Sequence, residues 1–264
     1  MIDRRTDTGP FDIVGDVHGC AAELVELMAR LGYGVELTGT GDARRAAVEP
    51  PKGRRLIFVG DLVDRGPASP DALRIAMTMV AAGQAMCVPG NHDAKFLRWL
   101  QGRNPKLTHG LDATVAQMTA EPPEFHADVR AFLETLPVHL WLDSGGLVVA
   151  HAGIKAGMIG LVSNEVRHFC LYGDTDGVPD ADGLPIRYHW AADYRGAGTI
   201  VYGHTPVADA GWLNNTLCID TGCCFGGRLT ALRWPEREIV SVPARSDYAA
   251  RRRAFGHPPV RPET

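Results

Sequence analysis

Residues 58–67 read FVGDLVDRGP and place two carboxylates and a guanidinium, Asp61, Asp64 and Arg65, directly after the apolar run 56–59. Such a run reads as a buried strand. Gly60 lets the backbone leave it without a Cβ, and Asp61 stands at the strand end, where α/β folds place their ligands. A core strand has no use for that density of charge, whereas a metal ion or a phosphate does. Four further segments have the same form. Residues 12–15 lead into Asp16 and His18, 86–90 into Asn91, His92 and Asp93, 147–150 into His151, and 199–203 into His204. Carboxylate, amide and imidazole donors without a thiolate suit manganese, iron, nickel or zinc over calcium.

Those strand ends need a scaffold. Residues 21–31 carry Leu24, Leu27, Met28 and Leu31 at helical spacing, with Gly32 as a C-cap. The polar stretch 36–54 reads as a loop or loose hairpin. A second helix is expected over 70–82 and a third from Ala94. Residues 108–136 are helical in pattern, broken at Pro122-Pro123, and read as a lid-like insertion beside the site. Strands follow at 138–142 and 147–150 around an Asp-Ser-Gly-Gly turn. The span 155–196 is the least regular. Later strands, 217–220, 228–234 and 238–242, are expected to be largely antiparallel. Strands alternate with helices in the first half and follow one another in the second. That pattern predicts an α/β fold of two packed sheets with helices outside. The domain is expected over 11–244, after a linker-like N-terminus at 1–10 and before a basic, Pro-rich tail or linker at 245–264.

With 264 residues the chain can bury a sizeable core. Its net charge of −4 argues against a broadly basic nucleic-acid coat. The six cysteines form no C-x-x-C pair, and reduced thiols in a cytoplasmic protein are the expectation. No signal peptide and no apolar run long enough for a membrane span are visible.

Taken in order, the five segments match GD-x-HG, GD-x-x-DRG, GNH-D/E, H-A/G and GH-x-P, and the chain resembles the calcineurin-like metallophosphoesterases. The resemblance implies a four-layer α/β/β/α sandwich with a binuclear centre at the strand ends. Asp16, His18 and Asp61 would hold one divalent ion, manganese first among the candidates. Asp61, Asn91, His151 and His204 would hold the other, with Asp61 bridging. His92 would be the general acid, oriented by Asp64, and Arg65 would bind a phosphate oxygen. Arg187 or Arg195 would supply a second arginine. Asp220 matches a late family position near the site, and the tract 188–194, with His189, is a candidate substrate wall. Asp93 departs from the Glu of many relatives. His126, His139, His168 and His257 sit in no ligand pattern and read as surface or packing residues, while His109 is open between the two readings.

Within the superfamily, the stretches LTHGLDATVAQM, GLPIRYHWAADYRG, WLNNTLCIDTGCCFGGRLTAL and PEREIVSVPA resemble the phosphatase domain of bacterial polynucleotide kinase-phosphatase RNA-repair enzymes. That resemblance spans residues 10–245. It implies removal of 3′- or 2′-phosphates and opening of 2′,3′-cyclic phosphates at broken RNA ends. It also implies RNA ends as partner, with kinase and ligase domains in cis. The chain itself has no G-x-x-x-x-G-K-[ST] and no K-x-D-G, so an excised domain or a stand-alone relative is expected, and the linker-like ends favour excision. The alternatives are a protein Ser/Thr phosphatase and a diadenosine tetraphosphate hydrolase. A metal-bound interaction module without catalysis is disfavoured by the intact ligand set.

Overall fold

The computed structural model describes residues 2–180, 185–251 and 254–261. Strand β1 (Phe11–Val14) leads to helix α1 (Ala21–Arg30) and a hairpin of β2 (Gly34–Thr38) and β3 (Arg45–Glu49). Then come β4 (Arg55–Phe58), α2 (Ser69–Ala81), β5 (Ala85–Cys87) and α3 (Asn91–Leu100). Helices α4 (Leu111–Thr119) and α5 (Pro123–Thr135) precede β6 (His139–Leu142) and β7 (Leu147–Ala150). Helix α6 (Asn164–Tyr172) is followed by a second hairpin, β8 (Asp174–Pro179) and β9 (Pro185–Tyr188). The chain closes with β10 (Thr199–Tyr202), β11 (Trp212–Leu213), β12 (Thr216–Cys218), β13 (Arg228–Trp234) and β14 (Glu238–Pro243).

Two five-stranded sheets result, ordered β14-β13-β1-β4-β5 and β11-β12-β10-β7-β6. Alternation along each strand explains why the sheets stack. Ile13, Ile57 and Met86 of the first sheet meet Leu140, Val149, Val201 and Leu217 of the second in a dry central layer. Their strand neighbours Val14, Phe58 and Cys87 face the other way, onto Leu24, Leu27, Leu73 and Ile75 of α1 and α2. On the far side, Val148, Ala150, Ile200 and Tyr202 pack against Val166, Phe169 and Cys170 of α6. Strands apolar on both faces read as unbroken hydrophobic runs, which is what the sequence shows.

The later strands run largely antiparallel, as expected: β12 against β11, and β13 against both β14 and β1. Both sheets are mixed, because β7, β10 and β12 run parallel, the long irregular span between β7 and β10 serving as the crossover that parallel pairing requires. Strands β13 and β14 return to the first sheet, where Ile13 pairs with Leu232. The helical stretch after residue 108 packs α4 against α2 and α5 against α3, and it lies beside the site, where Thr114 of α4 bonds Asp64.

The segments read as linkers touch the domain. Near the N-terminus, the amide of Arg4 donates to Trp141 O at 2.9 Å and that of Trp141 donates to Ile2 O at 3.0 Å, which extends the edge at β6. After β14, the Arg245 amide and the Tyr248 hydroxyl both donate to the buried Glu23 carboxylate, at 2.9 and 2.8 Å. Arg252, Arg253 and Pro262 of the basic tail lie outside the described residues. Among the described residues no helix is long and apolar enough to cross a membrane.

Candidate metal centre and active site

The ends of β1, β4, β5, β7 and β10 open at one rim of the sandwich, and the turns after them carry the polar residues. His18, Asp61, Asp64, Arg65 and His204 all hold positive φ, between 46° and 75°. Non-glycine residues rarely adopt this region, and such strain collects where a side chain must be aimed. The glycines of the motifs have a steric cause. A Cβ on Gly90 would strike the Asp61 carboxylate, and one on Gly203 would strike Asp16. Each of these glycines precedes a ligand on its own strand and makes room for a ligand from another.

Asp61 is the hub. Its Oδ1 accepts the His92 amide at 2.9 Å, and its Oδ2 lies 3.4 Å from His18 Nε2 and 3.5 Å from His151 Nε2. His18 Nδ1 donates to Val63 O at 2.9 Å and His151 Nδ1 donates to Val59 O at 3.0 Å. Those backbone bonds fix the tautomers, so that both Nε2 atoms turn lone pairs toward Asp61. Asn91 Oδ1 and His204 Nδ1 each stand 3.1 Å from His151 Nε2. Asp16 accepts the His204 amide on Oδ2 at 3.0 Å. Its Oδ1 is buried without a partner, as is His204 Nε2.

Lone pairs converging in a buried site with orphaned polar atoms need cations, so the residues present fit two divalent ions. The ligand atoms of His18, Asp61 and His92 cluster within 4.8 Å of one another, as do those of Asp61, His151 and His204. The first cluster contains His92, read from the sequence as the acid, in the place where Asp16 was expected.

Arg65 reaches into this space. Its Nη1 donates to His18 Nε2 at 2.6 Å and its Nη2 to His92 Nε2 at 2.9 Å, while the guanidinium lies 4.9 Å over the Phe225 ring. His92 Nδ1 stands 2.6 Å from Asp64 Oδ2. Asp64 is fully buried, and Thr114 of α4 bonds it twice: the hydroxyl donates to Oδ1 at 2.7 Å and accepts the Asp64 amide at 2.9 Å. Asp93, the departure from Glu, accepts the amides of Leu62 and Gly90 at 2.9 and 2.8 Å. It ties the β4 and β5 turns together. The sequence reading missed Thr114, because its partner lies fifty positions away in sequence.

Burial sets the electrostatics. It pushes Asp61 and Asp93 up to about 7, Asp64 to about 8 and Asp220 to about 6, and it holds Asp16 well above the usual carboxylate range. Burial, and after it the Arg65 charge, drives His18 and His92 well down. His151 falls to about 3, mainly through burial. Without cations these carboxylates resist ionisation and the imidazoles stay neutral. Bound divalent ions invert that logic.

Of the substrate-side residues, Arg187 is half-buried. It feels the charges of Asp61 and Asp220, and its Nη1 lies 3.4 Å from Thr205 Oγ1, next to His204. Asp220 is buried, and its Oδ1 accepts the Gly222 amide at 3.0 Å. Arg195 is not brought to the site. Its guanidinium donates to the carbonyls of Ala192 and Tyr194, both at 2.8 Å. His189 lines a cleft with Arg187, Tyr188, Trp190, His204 and His257. His139 is buried and its Nε2 accepts the Gly160 amide at 3.0 Å, a packing role.

The chain matches the calcineurin-like phosphoesterase family over residues 9–234 and belongs to it. It is therefore a metal-dependent phosphoester hydrolase, and the family implies a binuclear divalent centre. It is 46% identical over 244 residues to the protein named bis(5'-nucleosyl)-tetraphosphatase PrpE [asymmetrical] of Anoxybacillus flavithermus, a match that covers 91% of this chain and 96% of that one. The protein of that name from Bacillus subtilis is 42% identical over 242 residues, covering 90% and 96%. A crystal structure described as a putative diadenosine tetraphosphatase superposes with a TM-score of 0.64 at 27% identity, covering 92% of this chain and 97% of that one. These relatives bear a tetraphosphatase name and not that of an RNA-repair phosphatase domain, so the finer resemblance read from the sequence shifts to its stated alternative.

Proposed function

We propose that the chain hydrolyses dinucleoside tetraphosphates into two unequal nucleotides. The observation that carries this reading is the near end-to-end likeness, at 42–46% identity, to proteins named asymmetrical bis(5'-nucleosyl)-tetraphosphatases. Two divalent ions at the Asp61 hub, manganese first among the candidates, would supply hydroxide near neutral pH and neutralise phosphoryl oxygens.

The chain's own residues do the rest. His18, Asp61, Asn91, His151, His204 and Asp16 hold the cations. Arg65 and Arg187 clamp phosphate oxygens, for which a planar guanidinium is suited. When Arg65 turns to a phosphate it frees the His92 Nε2 lone pair, which can then take a proton from solvent and pass it to the departing oxygen while Asp64 fixes the ring through Nδ1. A tetraphosphate supplies the anionic length that two arginines can bind together. The six cysteines are free and buried, in keeping with a cytoplasmic setting.

The test is a panel with manganese: diadenosine tetraphosphate, RNA 3′-phosphate, RNA 2′,3′-cyclic phosphate and a phosphopeptide. The expected result is fastest turnover of the dinucleotide to ATP and AMP. Faster release from the RNA ends would restore the end-healing reading, with RNA ends as partner and kinase and ligase domains in cis. Faster release from the phosphopeptide would make the chain a protein phosphatase.

A further inference from the structure

Residues 255–261 lie against the domain and touch loops that carry the site's polar residues. Phe255 lies against Gly222, where a Cβ would strike its ring, and its ring centroid is 6.5 Å from that of Phe225. The Gly256 amide donates to Pro206 O at 3.0 Å. The His257 imidazole stacks on His189 with centroids 4.3 Å apart and planes 11° from parallel. The His189 amide donates to Pro259 O at 2.8 Å, and Arg261 reaches Asp174 Oδ1 at 2.8 Å. Gly222, Pro206 and His189 each lie two residues beyond a site residue: Asp220, His204 and Arg187.

We propose that the His189 ring is the stacking face for a nucleobase of the substrate, and that His257, carried by residues 255–261, covers this face until the base displaces it. The nucleobase identity rests on the tetraphosphatase reading above. Near-parallel planes make this a stack of flat rings, which a purine can replace on one side. Arg187, two residues away, lies within electrostatic reach of Asp61 and Asp220. A ring on His189 is thereby placed beside the arginine that would hold its phosphates. The cover itself is held by few bonds. Past Phe255, among the described residues, these are two backbone hydrogen bonds, the ring stack, and the exposed Arg261 guanidinium on Asp174 and over Tyr188. A ligand that offers the same stack can displace it, and until it does the apparent affinity is reduced by the covered fraction.

Two measurements test this on the full chain. In the unaltered protein, saturating ADP should speed hydrogen exchange at the His189 and Gly256 amides, whose acceptors lie on or under the cover. In kinetics, His257→Ala should lower KM for diadenosine tetraphosphate several-fold and leave p-nitrophenyl phosphate turnover unchanged, whereas His189→Ala should raise KM for the dinucleotide. Phe255→Ala, which loosens the same segment from a different contact, should reproduce the effect of His257→Ala and guards against a folding artefact in either. Unchanged exchange with ADP, or equal shifts on both substrates, overturns the proposal. If ADP releases the cover while diadenosine tetraphosphate is not hydrolysed, the stacking face stands and the tetraphosphatase reading falls. If the dinucleotide is hydrolysed with exchange and KM unmoved, the reverse holds.

Discussion

His92 and Asp64 share a 2.6 Å contact through Nδ1 and Oδ2, while the opposite edge of the imidazole, Nε2, takes an N–H from Arg65 at 2.9 Å. One side of the ring is fixed by a buried carboxylate and the other faces the reacting groups. That is the arrangement a proton donor to a leaving oxygen requires.

The loss on His92→Ala should therefore follow the basicity of the leaving group. An alkyl phosphate, whose alkoxide needs a proton, should lose about 10²–10⁴-fold in single-turnover rate. The dinucleotide, which releases a nucleotide phosphate, should lose less, and p-nitrophenyl phosphate least. Asp64→Asn and Thr114→Val should show the same ranking more weakly, since both disturb only the ring's orientation. Equal losses on all three esters would show that His92 serves the metal and not the leaving group.

Metal content should divide along the two donor clusters. Elemental analysis after manganese loading and desalting should give about two ions per chain. His18→Ala should retain about one of them, because His151, His204 and Asn91 remain on the far side of Asp61. Asp61→Ala should lose both, with activity. A full complement in His18→Ala would remove that residue from the ligand set.

Asp61→Asn should stabilise the metal-free protein in a pH-dependent way. Burial raises the native carboxyl of Asp61 to about 7 from an ordinary value of 3.8. Between those values the folded state binds the proton that the unfolded state has released, so this group's contribution to stability is lost as pH rises through 7. Asparagine carries no charge and still offers Oδ1 to the His92 amide. The melting temperature of the metal-free variant should exceed that of the unaltered protein at pH 8, with the gap narrowing toward pH 4. A variant less stable at pH 8 would mean that Asp61 supports the fold without metal.

The two arginines of the 187–195 tract should part company. Arg187→Ala should remove the charge-assisted bond to phosphate proposed above, worth about 1.5–3 kcal/mol, or roughly 10–10²-fold in kcat/KM. Arg195→Ala should leave kinetics unchanged, because that guanidinium is spent on the carbonyls of Ala192 and Tyr194. The comparison is made on diadenosine tetraphosphate with metal saturating.

The sequence by itself determined which donor residues stand at the rim. Asp16, His18, Asp61, Asn91, His92, His151 and His204 each follow an apolar run within a few residues. A strand and the turn after it form one local unit, so the donors and their scaffold are legible together. The two-sheet sandwich was legible for the same reason, since strands apolar on both faces must be covered on both. What lay beyond reach depends on contacts between distant parts of the chain. Only the fold brings Thr114 to Asp64, sends β13 and β14 back beside β1, and makes β7, β10 and β12 parallel. Only the fold separates Arg187 from Arg195, eight positions apart and of identical type. It also turns His257, which sits in no sequence pattern, onto His189. Register, crossover and the path of a polar tail are settled by packing across the whole chain, and no local spacing encodes them.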